Sequence, residues 1–196
     1  MRIIAGEWRG RKLTAPKGEA TRPTADRARE TLFAMLTSRM GDFAGLQVAD
    51  LFAGSGALGL EALSRGAAQC LFVEQDRAAV DVIRANVSAL GAGARARVEA
   101  GSVMALRAAT QPLDLILADP PYHSGAGEVA LDRLLRLGWI GAETWIALET
   151  AFNEDVAIKG LVHDAERRVG KGKLHLLRVD ARPSDDPASG ESGGAA

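Results

Sequence analysis

Between residues 46 and 150 five short apolar runs alternate with stretches of helical pattern. That alternation constrains the fold more than any other feature of the chain. The runs are LQVADLF (46–52), CLFVEQD (70–76), ARVEA (96–100), LDLILAD (113–119) and TWIALET (144–150). The segments between them read as helices over 57–66, 77–91, 103–110 and 129–138, with Gly66 as a C-cap of the first. In the second, Val80, Ile83, Val87 and Leu90 fall on one helical face. Strands separated by helices make a parallel sheet covered on both faces, with right-handed crossovers. An α/β fold with a mostly parallel sheet is therefore expected.

The two ends depart from this pattern. Near the C-terminus, AERRVGKGKLHLLRVD (165–180) holds two strand-like runs around Gly170 to Lys173, which predicts an antiparallel hairpin. At the N-terminus, RIIAGEWRGRKLTAP suggests a small hairpin. TADRARETLFAMLTSRM (24–40) suggests a helix with Ala28, Leu32, Met35 and Leu36 on its apolar face. The organisation read from these signals is an N-terminal extension over 1–40, an α/β core over 41–180 and a tail over 181–196. The tail is rich in Pro, Ser, Gly and acids, and is expected to be disordered.

The chain has 196 residues, 47% of them hydrophobic, enough for one sizeable core with a small appendage. Its net charge of -1 conceals basic ends. Residues 1–39 carry nine Lys/Arg against four Asp/Glu, and residues 159–178 carry six against two. Such patches suit a polyanionic partner, although a solvated surface would look the same. The single cysteine, Cys70, excludes a disulfide framework and reads as a small buried residue. MRIIAGEWRGRK lacks the apolar stretch of a secretory signal, and the uncharged run 51–60 is too short to span a bilayer. A soluble protein of a reducing compartment is expected.

In open α/β sheets ligands bind beyond the carboxyl ends of the strands. Three features lie there. The first is DLFAGSGALG, in which Gly54, Gly56 and Gly59 have the spacing G-x-G-x-x-G. Small residues allow a tight turn and a close backbone approach to a ligand, and the helix that follows favours negative groups. A strand-to-helix turn without a ligand would also use such glycines. The second is Glu74, at the end of the second run, where a carboxylate can accept both hydroxyls of a ribose. The third is Asp119-Pro120-Pro121-Tyr122 after the fourth run. The prolines stiffen the loop and leave its carbonyls free. Asp119 and the Pro120 carbonyl offer two acceptors, and Tyr122 offers a flat face for a base. That set suits an exocyclic amino group on a planar base, and a structural turn capped by an aspartate is the bland alternative.

Taken together, RIIAGEWRGRKL, RPTADRARETLF, DLFAGSGALGLEALSRGA, FVEQDR and DPPY occur in this order. The chain thereby resembles the bacterial RsmD family of 16S ribosomal RNA (guanine-N2)-methyltransferases, over roughly residues 2 to 179. The resemblance implies a Rossmann-like class I methyltransferase and S-adenosylmethionine as methyl donor. It implies cofactor contacts from Asp50, Phe52, Ala53, Gly54, Ser55 and Gly56, and from Glu74, Gln75, Ser102, Val103 and Asp119. Ser102 has no carboxylate for the adenine amino group, so the Val103 backbone is the substitute there. The catalytic loop is Asp119, Pro120, Pro121 and Tyr122.

The partner implied is 16S ribosomal RNA or the small ribosomal subunit, approached by a cytoplasmic monomer. Arg9, Arg11, Lys12, Arg22, Lys171 and Lys173 are the candidate phosphate contacts. No metal is expected, because a sulfonium is already an activated donor and His123, His163 and His175 are dispersed in the sequence. Two other functions remain open at this stage. One is a DNA adenine-N6 methyltransferase, for which 196 residues leave little room for a target-recognition region. The other is a non-catalytic RNA-binding protein of the same fold.

Overall fold

The computed structural model describes residues 1–16 and 23–181. The expected phosphate contact Arg22 and all but the first residue of the tail lie outside them. After an N-terminal loop come α1 (Pro23–Met40), β1 (Gln47–Leu51), α2 (Ala57–Ser64), β2 (Gln69–Glu74), α3 (Arg77–Leu90) and β3 (Ala96–Ala100). They are followed by β4 (Leu115–Ala118), α4 (Ala126–Arg136), β5 (Trp145–Ala151), β6 (Leu161–Val169) and β7 (Gly172–Val179). One sheet holds all seven strands in the order β3-β2-β1-β4-β5-β7-β6. The first five are parallel, and β7 and β6 are antiparallel at the edge. The expected parallel sheet and C-terminal hairpin are both present, and β6 begins four residues earlier than the sequence signal.

Each layer follows from its residues. β4, LILA, is buried throughout, as a central parallel strand should be. α3 starts where the Asp76 side chain accepts the Ala79 N–H at 2.8 Å, and it ends at Gly91 with φ 69°. Its buried face is the predicted set, Val80, Ile83, Val87 and Leu90. Together with α1 and α2 it covers one face of the sheet through Leu32, Phe33, Leu60, Leu63 and Ile83. α4 covers the other face through Leu131 and Leu134.

One predicted helix does not form. The segment 103–110 contains only a 3₁₀ turn, Val103–Ala105. Ser102 caps Met104 N–H at 3.2 Å, but Leu106 leaves the turn with ψ 138°. Conversely, α4 begins three residues before its apolar pattern, because Gly125 (φ 65°) and the Ser124 hydroxyl, accepting from Ala126 N–H at 3.2 Å, start it.

The N-terminal loop is a small antiparallel turn, with one bridge between Arg2 and Lys12. It shares the main core rather than standing apart, since Ile3, Trp8 and Leu13 are buried in the cluster that holds Phe33 and Leu60. A buried acid of α2, Glu61, accepts the Ile4 and Ala5 N–H groups at 2.8 and 3.0 Å. Arg65 donates to the same carboxylate at 2.9 Å, and Arg29, 4% exposed, lies 3.7 Å from it. Burying a carboxylate is costly unless it is paired and hydrogen-bonded in this way. Gly6 closes the docking, since a Cβ there would lie 1.8 Å from the Ser64 carbonyl oxygen. No described helix is long and apolar enough to cross a membrane.

Candidate active site

The strand order reverses beside β1. The chain runs outward from β1 to β2 and β3, then returns to pair β4 on the other side of β1. The carboxyl ends of β1 and β4 therefore flank a crevice, and the Asp119 N–H reaching the Leu51 carbonyl at 3.4 Å joins them there.

On the β1 side the loop is built from unusual backbone. Phe52 has φ 56°, Gly54 φ 54° and Gly56 φ 77°. A positive φ is ordinary for glycine and strained for phenylalanine, and such strain concentrates at functional loops. Ala53 N–H donates to the Val73 carbonyl at 3.1 Å, which fastens the loop to β2. Ser55 is buried, and its carbonyl accepts from Asn86 of α3 at 2.9 Å. Gly59 is required by packing, because a Cβ there would meet Phe72 at 2.4 Å and the Cys70 sulfur at 2.6 Å. Cys70 is the small buried residue expected, and burial pushes its thiol up.

Two acids hold this loop. Asp50, 1% exposed, accepts Gly59 N–H at 2.8 Å and so fixes the first turn of α2. Burial pushes its carboxyl well above the usual range; the Gly59 bond opposes this, and the nearby charges of Asp119 and Glu74 add to it. Glu74 accepts Gly54 N–H and Asp76 N–H, both at 2.8 Å. Each of its oxygens keeps a further lone pair for a ligand. Gln75 beside it is exposed, Ser102 is half-buried and Val103 is buried beyond β3. Asp119 and Glu74 lie close enough to the Asp50 carboxyl for their charges to act on it, and a ligand bearing positive charge suits that field.

On the β4 side, Asp119 is exposed at the mouth and Pro120 is buried. Gly127 lets α4 close on the loop, since a Cβ there would lie 2.9 Å from the Pro120 ring and 2.8 Å from Leu148. Tyr122, 42% exposed, donates its hydroxyl to Glu149 Oε1 of β5 at 2.7 Å. Burial, then the bond to Glu149, pushes the phenol far up, so it stays a donor. Burial also raises the Glu149 carboxyl, against the lowering effect of the Tyr122 bond. Gly172 leaves room for the pair, because a Cβ there would lie 2.7 Å from Glu149 Oε1 and 2.9 Å from the phenol oxygen. Glu154 fastens the next turn by accepting His123 N–H at 2.8 Å and Ala151 N–H at 2.7 Å. His123 has φ 57° and an exposed ring at the rim of the loop. Glu149, Glu154 and Gly172 carry no motif, and the sequence reading missed them.

The candidate phosphate contacts separate. Arg9 is exposed and lines a groove with Arg2, Arg27, Asp26, Glu30 and Gly170. Arg11 instead reaches the Ala89 carbonyl at 2.6 Å, and Lys12 is exposed beside the Arg2 bridge. Lys171 is exposed at the β6–β7 turn, whereas Lys173 lies between Asp155 at 4.0 Å and Glu166 at 3.9 Å. The expectation of dispersed histidines is corrected. Pairing of β6 with β7 brings His163 and His175 to 5.3 Å between ring centroids, because residues twelve apart in sequence become cross-strand neighbours.

Comparison with known proteins gives this site a family. Residues 1–178 match the family described as Conserved hypothetical protein 95. The ribosomal RNA small subunit methyltransferase D of Escherichia coli K12 is 42% identical over 150 residues, covering 76% of this chain and 74% of that protein. Its namesake from Haemophilus influenzae is 37% identical over 155 residues, with 76% and 78% covered. The solved structure of the Escherichia coli protein yhhF is 38% identical, covers 93% of this chain and 99% of its own, and has a TM-score of 0.81. The chain belongs to the Conserved hypothetical protein 95 family, the family of the ribosomal RNA small subunit methyltransferases D.

Proposed function

We propose that this chain transfers a methyl group from S-adenosylmethionine to the N2 amino group of one guanine in 16S ribosomal RNA, in the cytoplasm and as a monomer. The observation that carries the reading is the meeting of the glycine loop, Glu74 and Asp119-Pro120-Pro121-Tyr122 at the switch point, in a chain of this family. The residues present fit the methyl donor. Glu74 suits a ribose diol, and the negative field of Glu74 and Asp119 around Asp50 suits the positive charges of its ammonium and sulfonium. When bound, the donor supplies a methyl group already activated by positive sulfur.

The rest falls to the chain. The amino lone pair of guanine is delocalised into its ring, so the group is a poor nucleophile. Asp119 and the Pro120 carbonyl would accept its two N–H bonds and turn the lone pair out of the ring. Their negative ends then face nitrogen as it becomes positive, which is positioning together with electrostatic stabilisation; the donor would leave as a neutral thioether and the methylated nitrogen would lose one proton to solvent. Tyr122, held by Glu149, would stack on a base that has left its helix. The groove lined by Arg2, Arg9 and Arg27 favours the phosphate-binding role. Gly170 lines that groove, and Gly172, two residues on, lies against Tyr122, so bound RNA would lead to the catalytic loop.

Unmodified 16S RNA and small-subunit particles, incubated with the chain and labelled donor, test the reading. Mapping should find one guanine methylated at N2. Label on DNA adenine would favour the other methyltransferase class, and no label on either nucleic acid would leave a binding protein.

A further inference from the structure

β6 and β7 assemble a group of three side chains apart from the methyl-transfer loops: His163, Glu166 and His175. His163 and Glu166 are three apart on one strand, so strict alternation would put them on opposite faces. The register irregularity between His163 and Ala165 removes the conflict. With it, His163 opposes Leu177 and Glu166 opposes His175, and all three side chains meet. Glu166 Oε1 lies 2.9 Å from His163 Nδ1 and 3.2 Å from His175 Nδ1.

The other ring nitrogens each have an oxygen in reach. His163 Nε2 lies 2.9 Å from the Val156 carbonyl, which can only accept, so Nε2 carries the proton. His175 Nε2 lies 3.0 Å from the Thr150 hydroxyl oxygen. That hydroxyl also lies 3.0 Å from the Ala151 carbonyl, and when it donates there it accepts from the ring. With hydrogen on both Nε2 atoms, the two rings turn their Nδ1 lone pairs toward Glu166 Oε1. Three electron-rich atoms facing one another repel unless a cation stands between them. One proton on the group serves one N···O pair, whereas a metal ion serves all three atoms.

We propose that His163 Nδ1, Glu166 Oε1 and His175 Nδ1 form a binding site for a divalent transition-metal ion such as Zn²⁺, which fastens the β6–β7 hairpin to the wall of the catalytic pocket. Imidazole and carboxylate are ordinary zinc ligands, with bonds of about 2.0–2.2 Å. Ligand atoms around one tetrahedral ion then stand about 3.3 Å apart, close to the spacings to Glu166 Oε1. Each histidine already has the acceptor on its second nitrogen that metal-bound histidines commonly use. Lys173 approaches only the other side of the carboxylate, 3.9 Å from Oε2, and Asp155 at 4.0 Å balances its charge. The acceptors are the link to function, because Thr150 and Val156 line the same cavity as Pro120, Tyr122 and Glu149.

The test uses the full chain stripped of metal and titrated with Zn²⁺ by calorimetry, with Co²⁺ absorption as an optical readout. One ion per chain should bind, with a visible Co²⁺ band. His163→Ala and Glu166→Gln lie on partly exposed positions, so both should fold, which circular dichroism checks. Each should weaken binding at least tenfold, by analogy with the 10–100-fold cost of losing an outer-shell partner. No binding by the parent chain, or unchanged affinity in both folded variants, would overturn the proposal.

Discussion

The loop after β1 is held by acids close to it in sequence, whereas the loop after β4 is held by acids that arrive much later. Asp50 and Glu74 reach Gly59 and Gly54 over separations of 9 and 20 residues. Glu149 and Glu154 reach Tyr122 and His123 over 27 and 31. Both loops use one device, a carboxylate near or beyond a strand end that pins a segment of strained or rigid backbone. They differ in what is pinned. On the β1 side the bonds go to backbone N–H groups and set the path of the chain. On the β4 side one bond goes to a side chain and sets the plane of a ring. The difference teaches that the first loop is a cradle, and the second a clamp that later strands complete.

The largest effect should come from the clamp itself. Asp119→Ala should lower turnover about 10²–10³-fold, the usual loss when one electrostatic stabiliser is removed. Single-turnover methyl transfer at saturating donor and RNA measures it, and donor affinity should change far less. A rate within a few-fold of the parent would remove Asp119 from the chemistry.

Glu74→Ala strikes the cradle and should invert that profile. Losing charge-assisted hydrogen bonds should weaken donor binding by about 2–4 kcal/mol. The loop also loses its tie at Gly54, so calorimetry belongs beside a thermal unfolding scan. Unchanged donor affinity in a folded variant would show that the cradle does not use this acid.

Gly172→Ala probes the clamp from a distance. The added methyl group must displace Glu149 or the Tyr122 hydroxyl. A shift of a few tenths of an ångström in the stacking ring should cost about tenfold in turnover, less than the 10²-fold ascribed to 1 Å. Steady-state kinetics with RNA measure it, and parental kcat would separate the ring's orientation from the reaction.

The smallest effect is on stability. Burial raises the Glu149 carboxyl, so the folded state keeps its proton to higher pH than the unfolded chain does. Its stabilising share is then complete below the unfolded value of about 4.3 and is lost as pH rises through the folded one. Glu149→Gln keeps an acceptor for Tyr122 and cannot ionise. Urea midpoints of parent and variant should therefore diverge as pH rises from about 4. Parallel curves would mean that the carboxyl is not destabilised by burial.

Much of the cradle was legible in the residues. Its glycines, Asp50 and Glu74 fall at the ends of apolar runs, and strand ends are where an α/β sheet places ligands. The tetrapeptide at 119–122 was legible too, because two acceptors and a flat ring on a stiff loop stand at the end of a buried strand. The supports of the clamp were not. Glu149 sits in a run that reads as an ordinary strand, and nothing local marks its side chain as a partner for Tyr122. The helix expected over 103–110 failed for a related reason, since propensity there was overruled by Leu106 turning into the core.

The sequence by itself determined the class of fold, the position of the switch-point loops and the family, because hydrophobic period and short motifs are properties of neighbouring residues. Tertiary structure alone decided the rest. It set Glu61 under the N-terminal loop, Glu149 against Tyr122, Gly172 beside both, and His163 against His175 across a bulged strand pair. Those partners depend on strand order and register. A shift of one residue turns a side chain to the opposite face, and no local pattern records which residue of a distant strand will stand across from it.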